Sequence, residues 1–309
     1  MDNRKPWRIQ FDQIAADNRS GATELAKSCA AALIAYAEQE QPSSVQEISF
    51  QVGQAAARLL EKHPSIAGLM RILNDILIGL GEAETPRQAI DLIRRTCNEQ
   101  IAWLEQANSL LVERAAEIIP QDARILTISY SSAVAKAIVL ANQMGRKLSV
   151  TCLESRPLFE GRELANMLSH EGITVSLAVD AAVFLEVEQA NLVMVGADAM
   201  TDHGFVNKLG SMATAQAAAV KAVPLYVVSN TSKIWPANAP SPRIASHAPD
   251  EVWHKPPKSI SVSNHYFETT PWNLVTNVVT EQGAGDPSEI SQLSTSLTIH
   301  HALVGLLQP

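Results

Sequence analysis

Cysteine is scarce in this chain. Only three occur in 309 residues, and Cys29, Cys97 and Cys152 stand far apart with no C-x-x-C pair. That spacing disfavours both a disulfide framework and a structural zinc site, and a reducing cytoplasm is the simplest setting for it. Cationic charge is short as well: 24 Lys and Arg face 32 Asp and Glu, for a formal charge of −8 at pH 7. General binding to a nucleic-acid backbone needs a clustered cationic excess, so the balance argues against it and leaves room only for a local basic pocket. No apolar run reaches membrane-spanning length, and the opening MDNRKPWRIQFDQIAADNRSG lacks the apolar core of a signal peptide. Also missing are a G-x-G-x-x-G after a strand, a G-x-x-x-x-G-K-[ST] loop and an H-E-x-x-H pair. These absences leave a nicotinamide enzyme, a P-loop hydrolase and a zinc hydrolase without support, and no cofactor or metal is expected.

What the chain does have is 46% apolar and 18% charged residues, the balance of a folded globular protein. Its length exceeds the usual single core, which favours two domains. From Gly21 to about Glu117 apolar residues recur at three and four positions, Ala, Leu, Glu and Gln dominate, and Pro42, Pro64 and Pro86 fall near helix starts. This predicts successive amphipathic helices. After Pro120 short β-type runs such as RILTIS, KLSVTCLES, NLVMVGAD and PLYVVSN alternate with helical stretches. Strands that alternate with crossover helices predict a parallel sheet covered on both faces. The expected organisation is a helical domain over residues 1–120 and an α/β domain over residues 121–309. Residues 231–270 are rich in Pro, Ser and Asn and predict an irregular excursion with a late strand near SISVSNHYF; the tail SEISQLSTSLTIHHALVGLL predicts a final helix.

In an open parallel sheet, ligands bind beyond the carboxyl ends of the strands. That rule collects Ser129, Tyr130, Ser131 and Ser132 after the first strand, Glu154 to Arg156 after the second, Asp198 after NLVMVGA, and Asn230 to Lys233 after PLYVV. The segment GADAMTDHGFVNKLGSMATAQ is the most informative. An apolar strand ends at Gly196 and Asp198, and a polar loop delivers Asn207, Lys208, Gly210 and Ser211 to a new helix. Glycines let backbone N–H groups approach an anion and a helix N-terminus favours negative charge, so a phosphate or phosphosugar fits. Against this stands the plainer reading, in which Asp198 caps a turn and Lys208 is a solvated charge. The serines of SYSSAV supply a nucleophile or, as helix caps and phosphate contacts, only a binding edge.

With these segments in view, the chain resembles the family that unites the alpha, beta and delta subunits of translation initiation factor 2B with methylthioribose-1-phosphate isomerase and ribose-1,5-bisphosphate isomerase. The resemblance is carried by RSGATELA (19–26), HPSIAGL (63–69), RILTISYSS (124–132), LESRPLFEGRELA (153–165), VMVGADAMTDHGFVNKLGS (193–211), PLYVVSNTSK (224–233) and NHYFETTPWNLVTNVVTEQG (264–283), in the family order. It implies an α/β fold, with a helical N-terminal domain before a Rossmann-like parallel-sheet domain of the NagB/RpiA type. It also implies a sugar-phosphate pocket between the domains and assembly as a homodimer or hexamer. By the same resemblance Arg19 and Gly21 belong to a phosphate loop, Arg156 and Lys233 are anion partners, and Asn207 and Lys208 surround the sugar.

Two positions depart from the isomerase pattern. Isomerases of this family pair a cysteine after the first strand with the aspartate of GAD as acid and base; here Asp198 is kept and the cysteine position is Ser129. A serine hydroxyl is far less acidic than a thiol. Where the isomerases place a phosphate-binding arginine before HPSIAGL's proline, this chain has His63, which lacks a bidentate fork. Three readings follow. The chain is an initiation factor 2B-like protein that binds a phosphorylated sugar or nucleoside monophosphate with absent or altered activity, an aldose–ketose isomerase using Asp198 and Ser129, or an assembly subunit of a translation factor complex.

Overall fold

Five helices open the chain, and α1, α3 and α5 have a local cause for their starts. The computed structural model describes residues 5–308; the first four residues of the opening segment lie outside it. Helix α1 (Pro6–Ala16) begins on a proline and buries Trp7, Phe11, Ile14 and Ala15. This helix precedes the periodic region expected from Gly21; its apolar residues repeat at four and three positions over too short a span to stand out. Helices α2 (Ala22–Gln39) and α3 (Val45–Lys62) follow, the latter capped by Ser44, whose hydroxyl accepts from the Glu47 N–H. Helix α4 (Ala67–Leu80) is apolar nearly all round and is correspondingly buried among α2, α3 and α5. Helix α5 (Pro86–Glu117) starts in a reciprocal Thr85–Gln88 capping box with proline at its first position.

Beyond α5 the chain alternates as its periodicity requires: β1 (Ala123–Ile128), α6 (Ser132–Gln143), β2 (Leu148–Leu153), α7 (Glu160–His170), β3 (Thr174–Ala178), α8 (Val183–Gln189) and β4 (Leu192–Val195). A small excursion, β5 (Ala199–Met200) and β6 (Gly204–Lys208), leads into α9 (Ser211–Lys221) and β7 (Leu225–Val228). Strands β8 (Phe267–Pro271), β9 (Asn277–Thr280) and β10 (Gly283–Gly285) and helices α10 (Pro287–Ser296) and α11 (His301–Leu307) complete the chain. The main sheet has seven strands in the order β10-β9-β7-β4-β1-β2-β3. All neighbours are parallel except β10, which returns antiparallel to β9. All four residues of β4 are buried, as a central strand covered on both faces demands. The fold is the mixed α/β arrangement that the resemblance implies.

Two expectations shift. The late strand expected near SISVSNHYF begins only at that segment's last residue, Phe267, and runs on to Pro271, because β8 is defined by its antiparallel pairing with β6, Asn207 opposite Glu268 and Lys208 opposite Phe267. With β5 these strands form a second, three-stranded sheet. The tail is not one helix but two. Asn74 of α4 takes the break between them, donating to the Thr298 carbonyl and accepting the His300 N–H. Leu303 and Leu307 of α11 then join the apolar core of the N-terminal helices.

Candidate functional site

Strand order decides where a cavity opens. The chain winds from β1 outward through β2 and β3, then returns to β4 on the other side of β1. Loops after β1 and β4 therefore diverge, which leaves a crevice beyond the carboxyl ends of the strands. A cavity of about 320 Å³ fills it, a size suited to a small metabolite. Its walls are the 17–21 loop with the start of α2, the 63–66 turn before α4, the loops after β1, β4 and β7, and a flap carrying His247 and Tyr266. Of the residues singled out by sequence, Arg19, Gly21, His63, Ser129, Ser131, Ser132, Asn207, Asp198 and Lys233 all line it; Lys208 and Arg156 do not.

Asp198 and Lys233 are the charged centre. Asp198 sits where β4 ends, held through its backbone: its N–H bonds the Val206 carbonyl and its carbonyl accepts the N–H of Ala67 at the start of α4. Its carboxylate has no hydrogen bond among the described residues. Burial pushes its pKa up, while the Lys233 and Lys208 ammonium groups oppose that and Glu160 adds to it. Lys233 is displaced the other way by burial, with Asp198 partly restoring it, and its ammonium donates to the Ala197 carbonyl at 2.7 Å. The pair sets a carboxyl group and an ammonium group side by side in one cavity, each shifted toward its neutral form by burial.

Ser129 is held in a left-handed backbone, φ +66°, a conformation that a serine adopts at a cost. Its N–H donates to the Ser155 hydroxyl at 2.7 Å. Ser155 is buried and its own N–H donates to the Asp180 carboxylate, whose second oxygen takes the Arg156 N–H. The next serine, Ser131, caps α6 by accepting the Val134 N–H. No thiol substitutes for the hydroxyl: none of the three cysteines lines the cavity, and burial pushes Cys97 and Cys152 up to about 12.

Asn207 reaches the cavity from β6, its amide fixed on Ser211 Oγ at 2.8 Å. Lys208, one residue on, points the other way along the strand. It is 2% exposed, bonds Glu160 Oε1 at 2.6 Å, and lies 5.1 Å from the Tyr266 ring centre. Tyr266 is thus covered by Lys208 and by the His247 ring, stacked at 3.5 Å, while its hydroxyl donates to Glu251. Glu160, His247, Tyr266 and Asn108 also line the cavity and were not singled out by sequence, since they come from a helix start, an irregular segment and the far helix α5. Asn108 accepts at 2.8 Å from the amide of Asn230, a residue that its place after a strand had already singled out.

On the opposite wall, Asp17 accepts the N–H groups of Arg19 and Ser20 at 2.9 Å each. This folds the loop so that Gly21 enters α2 without a side-chain cap, leaving first-turn N–H groups at the cavity. The Arg19 side chain is exposed at the mouth, 4.0 Å from Glu163. His63 is 7% exposed and its Nε2 donates to the Ile14 carbonyl at 2.8 Å, so that nitrogen is already spent. Arg156 lies outside, donating to the Val252 carbonyl and covering Phe159.

The helix start that looked most suited to phosphate is taken. The N–H groups of Gly210 and Met212 at the start of α9 both donate to Glu268 Oε1, at 2.6 and 2.9 Å. The protein's own carboxylate fills that anion slot, and the cavity is faced instead by the starts of α2, α4 and α6, of which α6 is capped by the Ser131 hydroxyl.

Residues 18–287 match the Initiation factor 2 subunit family. The chain belongs to that family. It is 29% identical over 274 residues to a putative translation initiation factor eIF-2B subunit 2-like protein of Pyrococcus abyssi, covering 88% of this chain and 94% of that protein. It is 30% identical over 276 residues to the ribose 1,5-bisphosphate isomerase of Archaeoglobus fulgidus, covering 86% and 85%. The solved translation initiation factor eIF-2B of Pyrococcus horikoshii OT3 superposes with a TM-score of 0.81 at 26% identity, covering 93% of this chain and 98% of that one. Initiation factor 2 subunit relatives thus include both translation factor subunits and sugar-phosphate isomerases. No described helix is long and apolar enough to cross a membrane.

Proposed function

We propose that this chain binds a phosphorylated ribose-type sugar, or the ribose phosphate of a nucleoside monophosphate, in the cavity between residues 1–120 and residues 121–309. We propose further that its activity departs from the cysteine-dependent isomerisation of the isomerase branch. One observation carries the reading: Asp198 and Lys233 share a cavity whose β1 edge presents Ser129, a hydroxyl, where the resemblance calls for a thiol. The uncapped start of α2 is a seat for phosphate, Lys233 adds a cation, and Asn207 suits a sugar hydroxyl. The Archaeoglobus relative, a ribose 1,5-bisphosphate isomerase, supports ribose phosphate as the ligand class. Leu177 and Val179 at the edge strand β3, with Phe184 and Leu185 beside them, are exposed apolar side chains that support self-association as a homodimer or hexamer.

Calorimetric titration with ribose 1,5-bisphosphate, methylthioribose 1-phosphate and adenosine monophosphate tests the reading. At least one ligand should bind saturably, and Lys233→Met should weaken it by about tenfold, the loss of one charge-assisted contact. Failure of all three to bind overturns it.

A further inference from the structure

We infer that the ligand of this chain continues beyond its phosphate, as a ribose joined through a diphosphate to a second, uncharged group of nucleoside size. The inference rests on the proposed sugar-phosphate binding and extends the ligand past it. A second cavity of about 370 Å³ lies beside the first, between α2, α5 and α6. Thr23, Glu24, Asn108, Ser132 and Ala133 line both cavities, and none of the five is buried. A packed partition between two spaces buries the residues that form it. The two cavities therefore run into each other over an open sill.

The sill suits a diphosphate better than one phosphate. Thr23 and Glu24 are the second and third residues of α2, and Ser132 and Ala133 are the first and second of α6. The backbone N–H groups of these residues have no acceptor among the described residues, and the Ser131 cap takes only the Val134 N–H. Two helix starts thus border one gap, each with donors and a positive dipole end for an anion. A single phosphate at the start of α2 leaves the start of α6 bare, whereas a diphosphate reaches both. Asn108 stands beside them with its Oδ1 on the Asn230 amide at 2.8 Å, which leaves its own amide nitrogen as a further donor.

Past the sill the chemistry changes. Lys27 is shared between Glu24 at 3.9 Å and Glu105 at 3.6 Å, while Lys136 and Glu113 stand exposed on the second cavity's wall. Three carboxylates against two ammonium groups leave no cation for yet another phosphate. Partly buried Val112 and Leu140 give the space an apolar side, and the Ser109 hydroxyl gives it a polar edge. A flat, neutral ring with hydrogen-bonding edges meets both, and a nucleobase is such a group. Ribose phosphates and nucleoside monophosphates end at the phosphate and leave this space empty.

The test is calorimetric titration of the full chain with ADP-ribose and with ribose 5-phosphate, two probes of nearly equal charge near neutral pH that differ by the adenosine arm. ADP-ribose should bind about tenfold or more tightly than ribose 5-phosphate and displace it. Saturation-transfer NMR should show the adenine ring protons receiving saturation comparable with that of the terminal ribose. Ser109→Trp, which fills the second cavity from an exposed position on α5, should bring ADP-ribose to within about threefold of ribose 5-phosphate and leave ribose 5-phosphate itself unchanged. Binding of ribose 5-phosphate, or of the ribose phosphates named above, with no gain for ADP-ribose overturns the inference and spares the sugar-phosphate reading. A gain that persists in Ser109→Trp, or adenine protons at background in the parent protein, overturns it as well, since the arm then lies elsewhere. Failure of every probe to bind removes both.

Discussion

The hydroxyl of Ser155 accepts the backbone N–H of Ser129 across the ends of β1 and β2, at 2.7 Å. A residue at φ +66° is thereby fixed at the edge of the cavity, and the bond continues through the Ser155 N–H to Asp180. Three strand ends are tied together behind one side chain. This explains how a strained serine is held at the position where the resemblance implies a cysteine.

Ser155→Ala should therefore destabilise the protein by about 1–3 kcal/mol, since it strands the Ser129 N–H and removes a buried donor to the Leu153 carbonyl. Urea unfolding measures this directly. A loss below about 0.5 kcal/mol would mean that the clamp is incidental.

Acid should weaken the fold through His63. Burial pushes its pKa below the usual 6.5, outweighing the Ile14 carbonyl and the Asp17 carboxylate, which act upward. The folded chain then binds a proton less readily than the unfolded chain. This stability is fully present above about 6.5 and is lost as pH falls from there toward the folded value. His247 is displaced in the same direction, again by burial. Melting temperatures between about pH 5 and 7.5 should fall on the acid side, and His63→Gln should flatten the slope. An unchanged slope would place the sensitivity elsewhere.

How much of this was legible beforehand depends on the range of each interaction. Strands β4 and β7 are continuous apolar runs, β1 and β2 are mostly apolar with Arg124, Thr127, Ser149 and Thr151 interspersed, and α2 to α5 carry helical periodicity, so local pattern sufficed. The ligand edge followed from a topological rule once a parallel sheet was expected. The start of α9 was read as an anion seat because its filler, Glu268, lies 56 and 58 residues from the two N–H groups it accepts. Glu160 and Tyr266 meet only through Lys208, and nothing in the spacing of those three residues announces the contact.

Glu268→Ala makes that capping role measurable. Removing a carboxylate that takes two N–H groups at a helix start should destabilise the chain by about 1–2 kcal/mol. Glu268→Gln, which keeps one acceptor oxygen and loses the charge, should recover part of it. Binding of ribose 1,5-bisphosphate should be preserved in Glu268→Gln, since Glu268 does not line the cavity. Abolished binding there would reopen the start of α9 as the phosphate site.

Ser129→Cys places a thiol at the family's cysteine position, and the rest of the chain makes it readable. Cys29, Cys97 and Cys152 are buried, at 0%, 0% and 1% exposure, so the native protein should resist alkylation by iodoacetamide. The variant should take up one equivalent at Ser129's position, because that residue is half-buried at an open cavity wall. Ligand in the cavity should slow the reaction in proportion to occupancy, which reports binding without any turnover assay. The same thiol should bring conversion of ribose 1,5-bisphosphate to ribulose 1,5-bisphosphate above whatever level the parent shows, since a thiolate is far more accessible near neutral pH than an alkoxide. Asp198→Asn in that background should remove the gain while leaving ligand protection intact, because the amide keeps the shape and loses the proton. Alkylation unaffected by any phosphosugar would mean that the ligand, if it binds, does so away from Ser129.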